Sequence, residues 1–351
     1  ENGADAFYRG PIADAIVASV QADGGVLTHA DLAGYTFEVV EPIGYDLDGM
    51  RVMSMPPPSS GGVAVAQILS LADRLDLDVP AEGWLSADAS HLLAESMKHA
   101  FADRSRHMAD PSFNDVPIEL MLDDDALQRV ADSIDPASSR APSSYGTVPP
   151  LPEDGGTSHI SVIDRWGNAV ACTETINLAF GSLVGVEGFG FCLNDQMDDF
   201  TTIAGQANAF GLVQSGANLP EPGKRPLSSM SPTIILDDEG RVLTVAGASG
   251  GPRIITSTVQ ALLRVLRGNA SATQAVAAPR IHHQWQPDRL TIEIRDGKQP
   301  TACWRSLLES FGHDLAERAD IGAVQLLRRN PTDGYLDGAA DPRKGGGVAR
   351  P

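Results

Sequence analysis

Two apolar stretches, residues 158–165 and 169–176, are joined by Trp166-Gly167-Asn168 and preceded by Gly155-Gly156-Thr157. A turn that short between two strand-like runs demands an antiparallel hairpin. In such a ladder the paired residue numbers sum to a constant. With the turn centred on 166, Thr157 lies opposite Thr175 to within a residue. Asn177 lies two residues further along, on the same face. A second hairpin is expected over 232–247, turning at Asp237-Asp238-Glu239-Gly240. It sets Ser228 and Ser229, just before its first strand, beside Ser249-Gly250-Gly251, just after its second. Each hairpin therefore carries a polar cluster at its open end, and whether the two ends meet is a question of tertiary structure.

The rest of the chain surrounds these hairpins with helices. Apolar positions at helical spacing predict helices over 12–22, over 63–75 and over 86–107, where Leu92, Leu93, Met97 and Phe101 share a side. Thr28 to Asp31 reads as a capping box for a short helix ending near Gly34. A further hairpin is expected over 45–55 around Asp48-Gly49. Residues 132–156, rich in Pro, Ser and Gly, read as a linker. After the second hairpin come a helix at 252–267, a strand at 289–295, a helix at 303–311 and a strand at 322–328. Helices, then strands, then helices predict a layered α+β fold.

Composition excludes more than it selects. At 42% hydrophobic residues a sizeable core is easily built. A net charge of −20 offers nothing to neutralise phosphates, which argues against nucleic acid and against an anionic membrane surface. No stretch is long and apolar enough for a transmembrane helix. Cys172, Cys192 and Cys303 are odd in number and lack CxxC spacing, so neither a disulfide framework nor a zinc site follows. The first two read as small core residues. The sequence opens at Glu1 with no initiator Met or signal peptide, and so reads as a fragment or a processed product.

A Thr hydroxyl is a poor nucleophile until a base takes its proton. If the chain breaks between Gly156 and Thr157, the freed α-amino group becomes that base, with a pKa of about 7.7–8.0. Thr175 could then orient the hydroxyl, and the N–H groups of Gly250 and Gly251 could form an oxyanion hole at a helix N-terminus. Gly-Gly-Thr is also common at strand starts and paired threonines are common in sheets, so spacing alone leaves Thr157 open as a turn residue or a nucleophile. The rival nucleophile is Ser249, since "GASGG" (247–251) matches G-x-S-x-G between a strand and a helix. Its triad would be completed by Asp288 or Asp296 and His313. His282-His283 invites a metal, but no third ligand stands at a metal-site spacing, and packing is the simpler role. His91 and His99 read as surface or packing residues of their helix. "GVEGFG" (185–190) reads as a turn, and Asp123–Asp125 as a helix start.

Several motifs together resemble the γ-glutamyltransferases, also called glutathione hydrolases. They are "GGTSHISVIDRWGNAVACTETIN", "LNDQMDDF" (193–200), "GKRPLSSMSPTI" (223–234) and "GASGGPRII" (247–255), with "MPPPSSGG" and "FADRS" upstream and "DPR" near the end. They run in order from about residue 6 to 343. The resemblance implies an N-terminal nucleophile hydrolase with a four-layer αββα sandwich. It implies that Thr157 is the nucleophile, released by autocleavage after Gly156, with residues 1–156 closing a large subunit and 157–351 forming the small catalytic one. Thr175 would support the nucleophile, and Gly250 and Gly251 would supply the oxyanion hole. Asn177, Gln196 and Asp199 would hold the amino acid head of the substrate, Asp199 pairing its α-ammonium. Ser228 and Ser229 would bind its α-carboxylate.

The same resemblance implies a glutathione-like γ-glutamyl substrate, water or an amino acid or peptide as acceptor, two subunits of one precursor paired together, no metal or organic cofactor, and a periplasmic or extracellular location. Three departures stand out. The family's N-terminal part, with the Arg that grips the substrate α-carboxylate, has no counterpart here. Phe210 replaces the lid Tyr of many members, keeping the ring and losing the hydroxyl. Gly156 precedes the nucleophile. Alternatives are an amide acylase of the same fold (cephalosporin-acylase-like), a serine hydrolase using Ser249, and an inactive uncleaved fragment.

Overall fold

The computed structural model describes residues 3–141, 156–203, 205–206, 208–295, 297, 299–330 and 333–350. The hairpin around Asp48-Gly49 forms β1 (Ile43–Leu47) and β2 (Met50–Ser54). The Trp166-Gly167 hairpin forms β3 (Thr157–Ile163) and β4 (Ala169–Thr175), and Gly185-Val186 (β5) pairs with Phe191-Cys192 (β6) around the 187–190 turn. The second polar-ended hairpin is β7 (Thr233–Leu236) and β8 (Val242–Ser249). The chain continues through β9 (Ile281–His282), β10 (Leu290–Glu293), β11 (Leu315–Arg318), β12 (Ala323–Arg329) and β13 (Leu336–Ala340).

The central sheet has the order β1-β2-β7-β8-β12-β13, and every neighbouring pair is antiparallel. Long helices, Gly61–Arg74 and Arg253–Leu266, cover one face, and the helix Ala87–His107 packs outside the first. Their apolar residues meet the sheet in one core that includes Val52, Ile68, Leu93, Phe101, Ile235, Ala246, Val259 and Val324. The β3–β4 hairpin lies on the opposite face, against β8 and β12. Ser161 Oγ donates there at 3.3 Å to the carbonyls of Val245 and Gln325. Helices, sheet and hairpin thus supply α, β and β layers of the expected sandwich. Among the described residues the outer face of the hairpin carries no covering helix: Ile160, Val162 and Val170 are exposed on it.

Most elements fall where periodicity placed them. The helices run Pro11–Ala22, Gly61–Arg74, Ala87–His107, Arg253–Leu266 and Ala302–Ser310, within two residues of expectation. Thr28 and Asp31 form the complete capping box of the helix His29–Gly34, and Asp123 caps the helix Asp124–Ser133 through the Ala126 N–H. Cys172 is a correction. It is exposed on the outer face of the hairpin, and Cys192 is half-buried, so neither is a core residue. An apolar neighbourhood in sequence fails as a burial signal here because residue 172 falls on the outward phase of its strand. Asp132 and Ser133 of the expected linker end a helix, and residues 142–155 lie outside the described residues.

Candidate functional site

The open ends of the two hairpins meet. The β3–β4 register pairs Thr157 with Thr175 directly, so the two hydroxyls share a face and stand 2.9 Å apart, with Thr157 only 4% exposed. The Asn177 N–H donates to Thr175 Oγ1 at 2.8 Å, which leaves the single Thr175 proton for Gly156 or Thr157. Gly156 continues the ladder, accepting the Ile176 N–H at 3.1 Å, and Thr175 Oγ1 stands 3.4 Å from the same carbonyl. Asn177 adopts a positive φ of 72°, a conformation that Asn tolerates better than most residues. Its side-chain amide donates to the Asp195 carbonyl at 2.8 Å, tying β4 to the short 3₁₀ turn Gln196–Asp199.

Ser228 and Ser229 are delivered by the run into β7. A cradle from the Pro-rich turn at 56–60 fixes that run: Ser228 N–H donates to the Pro58 carbonyl, and Ser60 donates to the Ser228 carbonyl through both its N–H and its hydroxyl. The approach is close. A Cβ on Gly61 would stand 2.2 Å from the Met230 carbonyl, so a side chain there would push this segment away. Behind it lies Arg104, 2% exposed, donating to Ser60 Oγ at 2.9 Å and lying 3.5 Å from Ser229 Oγ. Burial pulls its guanidinium down to about 10, and the nearby Asp199 charge opposes that shift. Gly250 and Gly251 follow β8 with φ of 137° and 55°, a bend that leads into the helix Arg253–Leu266. Their carbonyls accept the first helical N–H groups, from Arg253 and Ile254.

Thr157, Thr175, Asn177, Gln196, Asp199, Phe210, Ser228, Ser229 and Gly251 line one cavity of about 20 Å³. Gly250 lines the adjoining basic hollow instead, with Ser249, Arg253, Arg343 and Lys344. Gln196 donates to the Asp199 carboxylate, so the two amino-acid-binding candidates already form a unit. Burial raises the carboxyls of Asp195 and Asp198, and in Asp195 the Asp198 charge adds to it. His159, next inward on β3, is held neutral by burial, which drops its pKa to about 4.

Among the described residues the rival serine has no triad. Ser249 lies in an antiparallel sheet, paired with Ala323 of β12, and its Oγ is 3.5 Å from Lys344 Nζ. His313 sits elsewhere, with Nε2 at 2.8 Å from His91 Nδ1. Because His91 Nε2 faces the Asp135 carbonyl, that nitrogen is the donor and Nδ1 accepts the His313 proton. Asp288 pairs with Lys98 and His283, both at 3.3 Å, and Asp296 lies outside the described residues. His282 and His283 are buried packing residues, with His282 bonded to Thr256 and Gln284. A metal-like grouping does occur at His91, Glu95 and His313, which sequence spacing missed because residue 313 joins from a distant element. Glu95, however, is already paired with Lys98 at 2.9 Å.

Two residues near the site escaped the sequence reading. Arg104 sits in the last turn of a helix, where a basic residue is ordinary, and only its burial marks it. Lys344, in a Gly-rich tail, reaches the Thr157 carbonyl, and nothing in its sequence context signals that.

The Gamma-glutamyltranspeptidase family model matches residues 1–350. The glutathione hydrolase proenzyme of Escherichia coli (strain K12) is 42% identical over 348 residues, covering 98% of this chain and 58% of that protein. This chain therefore spans a little over half the length of that relative. Among solved structures, a cephalosporin acylase from Bacillus halodurans matches with a TM-score of 0.78 at 25% identity, over 98% of this chain and 59% of that one. The T380A mutant of Helicobacter pylori γ-glutamyltranspeptidase matches with a TM-score of 0.50 at 45% identity, over 53% of this chain and 99% of that one.

Proposed function

The chain belongs to the γ-glutamyltranspeptidase family, and from that premise we propose that it carries the catalytic centre of a glutathione hydrolase or γ-glutamyltransferase with Thr157 as nucleophile. The carrying observation is the Thr157–Thr175 hydroxyl pair at 2.9 Å, placed in one cavity with Asn177, Gln196, Asp199 and the two serines. The acid, amide and hydroxyl groups suit the ammonium and carboxylate of an amino acid head group.

Activation begins with attack of Thr157 Oγ1 on the Gly156 carbonyl carbon. The Ile176 N–H and the Thr175 hydroxyl point at the oxygen on which charge develops. The Gly156–Thr157 C–N bond breaks as the Oγ1 proton passes to the nitrogen, which frees the α-amine and leaves a Gly156 ester on Oγ1; water then hydrolyses that ester to a Gly156 carboxylate and the free Thr157 hydroxyl. In turnover that amine takes the Oγ1 proton as the oxygen attacks the γ-carbonyl carbon of the substrate. On this reading the resulting oxyanion is taken up by the N–H of Gly251, which lines the cavity, together with that of the preceding Gly250. The γ-amide bond breaks as the proton passes to the leaving nitrogen. Water or an acceptor amine then resolves the γ-glutamyl ester. A cavity of about 20 Å³ holds roughly one water, and Phe210 stands on its wall, so we take the Phe210 segment as the lid that moves aside for substrate.

The subunit boundary follows the same logic. Residues 157–351 make up 195 of 351. That share is close to the 53% of this chain that matches nearly all of the H. pylori chain, which supports a small subunit starting at Thr157. No described helix is long and apolar enough to cross a membrane, and an exported, periplasmic or extracellular enzyme is the reading we adopt from the family resemblance. A cephalosporin-acylase-like amide specificity is the second reading, favoured by 34% identity over 342 residues to the acylase ACY 1 proenzyme of Pseudomonas sp. (strain SE83), 96% of this chain and 57% of that protein.

The test is intact mass of the purified protein, with Thr157→Ala alongside. Two species splitting between Gly156 and Thr157 are expected in the wild type and one in the variant, with γ-glutamyl anilide turnover only in the former. Cleavage or turnover surviving in Thr157→Ala would overturn the assignment. Turnover of an acyl β-lactam side chain, with none of the γ-glutamyl anilide, would select the acylase.

A further inference from the structure

We propose that Lys344 sets the basicity of the Thr157 α-amine, holding it in the proton-accepting form near neutral pH. The inference rests on the reading of Thr157 as an N-terminal nucleophile. In the β3–β4 ladder the Gly156 backbone faces β4, donating to the Asn177 carbonyl and accepting from Ile176. Strand alternation then turns both the N–H and the C=O of Thr157 toward the free edge of the hairpin. Lys344 arrives on that edge. Its ammonium donates to the Thr157 carbonyl and stands 3.5 Å from Ser249 Oγ. In an extended residue the backbone nitrogen and carbonyl oxygen are about 3 Å apart, so the freed amine lies within roughly 5 Å of Nζ. A positive charge that near disfavours protonation of the amine.

The other charged groups around the nucleophile do not replace Lys344. His159 on β3 is neutral. On the facing strands, β8 carries no ionisable residue and Glu174 of β4 points outward, beside the exposed Ser158. Asp195, Asp198 and Asp199 on the 3₁₀ turn act in the opposite sense, and Asp199 is offset by Arg104 from the helix Ala87–His107. Arg343 is committed to Glu293 and Asp341. Arg253 and Arg318 share the basic hollow with Asp320 and Lys344, and both arginines act in the same direction as Lys344. Among the charged groups of the described residues, Lys344 is the one that touches Thr157.

The test is the pH profile of kcat/KM for a γ-glutamyl anilide, using the full chain after processing. The acid limb of that profile reports the free enzyme's base. For a partly exposed pair at this distance, Lys344→Met is expected to move the limb up by on the order of one pH unit. That is about a tenfold loss below the limb, with the alkaline plateau retained, and Lys344→Arg is expected to restore the wild-type limb. A limb that stays put in Lys344→Met, or a loss uniform across pH, would overturn the proposal and leave Lys344 a structural tether. Should Lys344→Met fail to fold or process, the wild type decides. Raising salt from about 0.01 to 1 M screens an exposed charge and is expected to lift the limb, so a salt-independent limb counts against Lys344. Failure of the nucleophile reading is separate: it appears as turnover in Thr157→Ala, with Lys344 untouched.

Discussion

Two buried polar regions of this molecule invite comparison. One surrounds Thr157, where the converging groups are mostly hydroxyls, amides and backbone N–H groups lining a small cavity. The other gathers His91, Glu95, Lys98, His283, Asp288 and His313 between the helix Ala87–His107 and the chain beyond β9. The second is far richer in ionisable groups and would attract any search for perturbed titration. Burial first, and then chiefly the Lys98 charge, take His313 down to about 3. Yet its members spend their hydrogen bonds on one another and on the segment 135–140: His91 on the Asp135 carbonyl, Lys98 on Ser139 and Arg140, Glu95 on Ser139 and the Arg140 N–H. It is a clasp that joins chain on either side of the Gly156–Thr157 peptide bond. A perturbed pKa marks burial, and chemistry needs in addition a cavity and an attackable atom.

The sharpest way to break that comparison is to delete one group from each region. Thr157→Ala removes the atom proposed to form the acyl bond, and a loss of at least about 10³-fold in kcat/KM is expected together with loss of cleavage. Lys98→Met should do the reverse. It strands the Glu95 carboxylate, whose side chain is 0% exposed, and removing one partner of a buried pair costs about 3–5 kcal/mol. Denaturant unfolding should register that loss, while kcat/KM per folded molecule stays within a few-fold. A Lys98→Met protein of normal stability that has lost its turnover would mean the clasp takes part in the chemistry.

How much of this was readable beforehand divides along the same line. The site was legible because hairpin arithmetic is local. A three-residue turn at 166 settles that Thr157 faces Thr175, and the observed register agrees residue for residue. The β7–β8 hairpin carries an irregularity at Ile235/Leu236, yet Ser228 and Ser229 still arrive at the cavity with Gly251. The clasp was not legible. His91 and His313 are 222 positions apart, and no periodicity relates them. The same holds for Arg104 and Lys344, whose neighbours in space come from other elements, and for Cys172, misread because strand phase outranks local apolarity.

A smaller effect tests the head-group assignment. Asp199→Asn keeps the shape and the Gln196 contact but removes the charge that would pair an α-ammonium. Hydrogen bonds to charged groups are worth about 1.5–3 kcal/mol, so KM for a γ-glutamyl anilide should rise by roughly 10- to 100-fold. A simple aryl ester lacking the ammonium should be hit much less. Equal losses on both substrates would remove Asp199 from the head-group site.

The smallest expected effect falls on the residue that sequence made the rival nucleophile. Ser249 is 8% exposed and touches Lys344 at a marginal 3.5 Å. A neutral hydrogen bond of normal length contributes only about 0.5–1.5 kcal/mol, and this one is longer than normal. Ser249→Ala leaves the backbone bend at Gly250-Gly251 in place, because that bend depends on the glycines' positive φ and not on the serine hydroxyl. Activity within about threefold of wild type, with normal cleavage, is therefore expected from kinetics on the purified variant. A loss as deep as that of Thr157→Ala would mean that the strand–turn–helix geometry at 247–251 carries the nucleophile after all, and that the hydroxyl pair at 157 and 175 is sheet packing.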